Sequence, residues 1–78
     1  MPVVSNTVRT TINLDGSADT FLQLYDQDGV AVHEGGFHTY PGSVEDVNER
    51  INNRIASITA ETDIWLAEQE FEQIIGEG

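Results

Sequence analysis

The chain has 78 residues, with 14 acidic side chains and 3 basic ones, all arginine (Arg9, Arg50, Arg54), for a formal net charge of -11. That length makes a single domain (1–78) which buries only about 60% of its unfolded surface, so the core is marginal. The charge repels phosphate backbones and anionic headgroups, which argues against nucleic acid and membrane as partners; the absence of cysteine excludes disulfides and thiolate metal sites.

Residues 1–42 read as a β meander. From Val4 to Leu14 the even positions are Val4, Asn6, Val8, Thr10, Ile12 and Leu14, and the odd ones are polar. This period of two predicts a half-buried strand. Asp15-Gly16 supplies a turn, with Ser17 to Thr20 as a polar connection. Phe21 to Tyr25 is the next strand, with Leu22 and Leu24 on one face and Phe21, Gln23 and Tyr25 on the other. Apolar bulk on both faces predicts that one meets the helical region and the other a neighbouring chain. Asp26-Gln27-Asp28-Gly29 is the strongest hairpin signal. A strand follows from Val30, with a bend or bulge expected at Gly35-Gly36 before it continues from Phe37 to Tyr40.

Residues 43–78 read as helical. Ser43 is the N-cap, and Glu45 and Asp46 suit the positive end of the helix dipole. Val44, Val47, Ile51, Ile55 and Ile58 form one apolar stripe. Beyond Ile58 a second stripe, Ala60, Ile64, Ala67, Phe71 and Ile74, runs in a different phase, with Trp65 and Ile75 beside it. The change of phase places a turn or bend within Ser57–Thr62. The expected fold is therefore α+β: an antiparallel meander of three to four strands, then two C-terminal helices or one long kinked helix.

Few constellations carry chemistry. Asp26-x-Asp28-Gly29 places its glycine too early for a helix-flanked calcium loop, so it reads as a turn. His33 and His38 lie five residues apart, on opposite faces of a regular strand. No Gly-x-Ser-x-Gly elbow and no glycine-rich phosphate loop occurs. The expectation is a non-enzymatic chain with no catalytic residues, no cofactor and no metal. No basic leader followed by a long apolar run is present, so a cytoplasmic or virion location is expected.

The acidity is uneven. Residues 44–78 hold nine of the 14 acids, and from Thr59 to Gly78 there are six acids and no base. A helix built only for its own stability would place lysine near its C-terminal end. Three readings follow: plain solubility, adaptation to high salt, or docking on a basic protein surface. Trp65, Glu68, Glu70, Phe71 and Glu72 on the helix, with Phe21 and Tyr25 on the sheet, are the expected contact residues.

In size, lysine-free acidity and sheet-then-helix layout the chain resembles small phage or viral accessory proteins, a likeness of layout rather than of motif. That layout implies a structural or assembly component of a larger complex, formed by self-association or with neighbouring subunits. The alternative is an acidic nucleic-acid mimic that inhibits a host defence or nucleic-acid-handling complex.

Overall fold

The computed structural model describes residues 2–77, and their side chains as far as residue 70. Three strands, β1 (Ser5–Ile12), β2 (Ala18–Tyr25) and β3 (Ala31–Thr39), precede one helix, α1 (Val44–Glu77). The sheet is antiparallel in the order β1-β2-β3, so each strand pairs with its neighbour in sequence.

Both hairpins are closed by the predicted turns. In the first, the Gly16 amide donates to the Asn13 carbonyl and the Asn13 amide to the Ser17 carbonyl. In the second, the Gly29 amide donates to the Asp26 carbonyl, while Asp26 Oδ1 accepts from the amides of Asp28 and Val30. Gly16 and Gly29 carry the positive φ angles these turns need, +89° and +77°. The connection at Ser17–Thr20 is shorter than expected, because β2 already begins at Ala18. The bulge lies elsewhere than at the glycine pair. Leu24 pairs with His33 and Tyr25 with Ala31, leaving Val32 as the extra residue. Gly35 and Gly36 pair regularly with Leu22 and Phe21, so β3 runs unbroken and there are three strands, not four.

The helix begins where expected. The Ser43 hydroxyl accepts from the Asp46 amide at 3.1 Å, and the Ser43 carbonyl takes the first helical bond from Val47. It then continues without a second start, which corrects the two-helix expectation. The Thr59 and Thr62 hydroxyls donate back to the carbonyls of Ile55 and Ile58, both at 2.8 Å, inside one helix. They cap nothing, because backbone four residues earlier already satisfies them. Nor does the sheet-facing stripe change phase. Val47, Ile51, Ile55, Ile58, Thr62 and Leu66 are buried or half-buried, at spacings of three and four. A buried threonine carries that stripe through the segment where apolar residues alone suggested a break.

The core lies between α1 and the sheet. Ala18, Val47 and Ile51 form its centre, with Phe37 and Ile55 packed on it, and Leu22 and Leu24 are fully buried on the same face of β2. α1 lies over β2 and β3 but not over β1. Two strands about 4.8 Å apart are as much as one helix about 10 Å across can cover. The 34-residue helix is about 51 Å long against about 27 Å for an eight-residue strand, so it overhangs the sheet. The molecule measures 55 × 18 × 15 Å.

Candidate interaction surfaces

Ladder register places Asn6, Val8, Thr10 and Ile12 beside Leu24, Leu22, Thr20 and Ala18, on the face that carries the helix. The β2 residues are buried; their β1 partners are not, with Val8 41% and Ile12 62% exposed. The apolar side of β1 is thus a continuation of the core with nothing over it. None of Asn6, Val8, Thr10 and Ile12 is charged. Val4 and Leu14 extend the exposed apolar strip at either end.

The opposite face of the sheet has no covering layer either. Phe21 is exposed and sits across from Gly36, its ring edge 4.0 Å from where a Cβ of residue 36 would stand. Tyr25 is half-buried and lies in a polar row: its hydroxyl donates to Gln23 Oε1 at 2.9 Å, and Gln23 Nε2 donates to Glu34 at 3.4 Å. At the other end Asp19 accepts from Asn13 Nδ2 at 3.1 Å and pairs with His38 Nδ1 at 2.7 Å. The His38 and Asn13 contacts hold the Asp19 carboxyl below its ordinary range. Bonds from the Ser17 hydroxyl and amide do the same for Asp15.

The helix presents two further features. A groove of about 390 Å³ runs between α1 and β3, lined by Phe37, Arg54, Ile58, Glu61 and Trp65 among others. Trp65, 51% exposed, forms one wall of it. Away from the sheet the second stripe lies open: Ala60 and Ala67 are exposed and Ile64 is 60% exposed. This stripe therefore does not join the core. At about 100° per residue it points about 180° from the sheet-facing stripe. Near its start, the Val3 amide ties the N-terminal segment to Asp63 Oδ1 at 2.7 Å.

The expected contact residues are therefore not one surface. Phe21 and Tyr25 stand on the sheet face away from the helix, whereas Trp65, Glu68 and Glu70 belong to α1 and are exposed. The side chains of Phe71 and Glu72 lie outside the described residues. Sequence reasoning missed that Val8 and Ile12 stay exposed, because alternation in a strand signals burial without saying by which layer. His33 pairs with Leu24 on the helix face, His38 with Asp19 on the other. Among the described residues no group of three or more His, Asp or Glu is placed to hold a metal ion. No helix among them is long and apolar enough to cross a membrane. No protein-family model matches the chain, and neither a curated protein nor a solved structure matches it.

Proposed function

We propose that this chain is a non-enzymatic protein-interaction subunit, a structural or assembly component of a larger complex of the phage or viral-particle kind its layout resembles. It completes its core by self-association through the uncovered side of β1. The observation that carries this reading is the row of Val8 and Ile12, in ladder register with buried Leu22 and Ala18 yet open to solvent. Because that row is uncharged, two copies can meet there without placing acid on acid.

Light scattering of the purified chain at low and high salt tests the proposal. The expected result is a species larger than a monomer that is strengthened by salt, since screening removes repulsion between chains of charge -11. A monomer at every salt concentration that binds a basic nucleic-acid-handling protein, with affinity collapsing in salt, would favour the mimic instead.

A further inference from the structure

We propose that the outward stripe of α1 is a docking face for a basic amphipathic helix of a partner protein. Ala60, Ile64 and Ala67 are exposed on the side of the helix opposite the sheet. Their spacing of four and three continues in sequence to Phe71 and Ile74. This is the anchor spacing of one helix lying along another. Upstream on that side Glu49, Asn53 and Ser57 are polar and Ala56 alone is apolar, so bulky apolar side chains enter the stripe only at Ile64. An exposed isoleucine between two exposed alanines gives one ridge with a hollow on each side. Bulky apolar side chains of a partner fit such hollows, because small residues let helices approach closely.

Charge decides the occupant. In a helix pair, the positions beside the apolar seam face their counterparts on the other helix and set partner choice. Here one flank is Glu61 and Glu68; the other carries Asp63, half-buried and already accepting from the Val3 amide, and no basic residue follows Arg54. Glu61 and Glu68 are exposed. Two copies paired through this seam, parallel or antiparallel, would set acid against acid. A partner with lysine or arginine at the flanking positions meets opposite charge in both orientations. The seam is separate from the β1 face, so this inference stands whether or not the chain self-associates there.

The test is fluorescence anisotropy of a labelled synthetic helix about four heptads long, with leucine at the seam and lysine at the flanks, titrated with the full chain. The lysine-flanked peptide is expected to bind at least about tenfold tighter than a glutamate-flanked version or a scrambled peptide of the same composition, and to weaken as salt rises. Ile64→Asp should weaken binding at least about tenfold with the helical circular-dichroism signal kept, since residue 64 is exposed. The double variant Glu61→Lys, Glu68→Lys should reverse the preference toward the glutamate-flanked peptide. Equal binding of the scrambled peptide, or no effect of Ile64→Asp, overturns the proposal. So does a homomer that falls apart on Ile64→Asp, which would make a second copy the occupant. The β1 reading fails separately, when substitutions at Val8 and Ile12 leave the solution mass unchanged.

Discussion

The double variant Val8→Asp, Ile12→Asp separates what holds one chain together from what joins two. Burying a valine or isoleucine side chain completely is worth about 1.5–3 kcal/mol. Val8 retains 41% of its exposure and Ile12 62%, so a partner covering both would add about 1.5–3 kcal/mol per chain. In a two-fold symmetric pair each residue counts twice, giving about 3–6 kcal/mol, or roughly two to four orders of magnitude in the dissociation constant. Two new carboxylates at the seam oppose pairing further. Within one chain the variant removes only the portion of each side chain already buried, so the fold persists. Sedimentation velocity over a wide concentration range reads the association, and urea unfolding at a concentration where both forms are monomeric reads the fold. Association unchanged by the double variant would refute the reasoning. So would a loss of folding as large as the loss of association, which would place Val8 and Ile12 in the core of the single chain.

Leu22 is fully buried, so Leu22→Ala should cost roughly 2.7–5.0 kcal/mol, most of the stability of so short a chain, read as a fall in the urea midpoint. Gly29→Ala places a Cβ in open space at a φ of +77°, so its cost is conformational alone, about 1–2 kcal/mol in the same assay. Asp15 and Asp19 are both lowered in the folded chain. Their contribution is therefore complete above the ordinary carboxylate value of 3.8 and is lost as pH falls toward the lowered values. Urea midpoints of the parent chain should drop on acidification through that window, and those of Asp19→Asn should drop less. A parallel drop in the two proteins would mean that the contacts with His38 and Asn13 do not set the acid response.

Where local chemistry decides structure, the residues were readable in advance. Asp-Gly pairs at 15–16 and 28–29 fixed the two hairpins, and the serine at 43 fixed the start of the helix. Alternation from Val4 to Ile12 identified β1 and its apolar side. What could not be read was which layer meets which face. Thr62 is a polar residue that serves as a core position because its hydroxyl is satisfied inside the helix. Counting only apolar residues therefore hid the continuous stripe and suggested a break. Once α1 is one helix, its width leaves β1 bare, and the second apolar stripe changes from a core signal to an outward one.

The coverage of two strands by one helix also sets the order of events in refolding. Every strand pairs with its neighbour in sequence, so the sheet assembles from local hairpins with little loop closure, the condition for rapid folding. Docking of α1 buries Leu22 and Leu24 but does not cover the β1 row. Under the proposed self-association, completion of the chain and occupation of that row are two kinetic steps. The first is unimolecular and independent of protein concentration, and the second is bimolecular. On that proposal a dilute chain finishes the first and waits for the second.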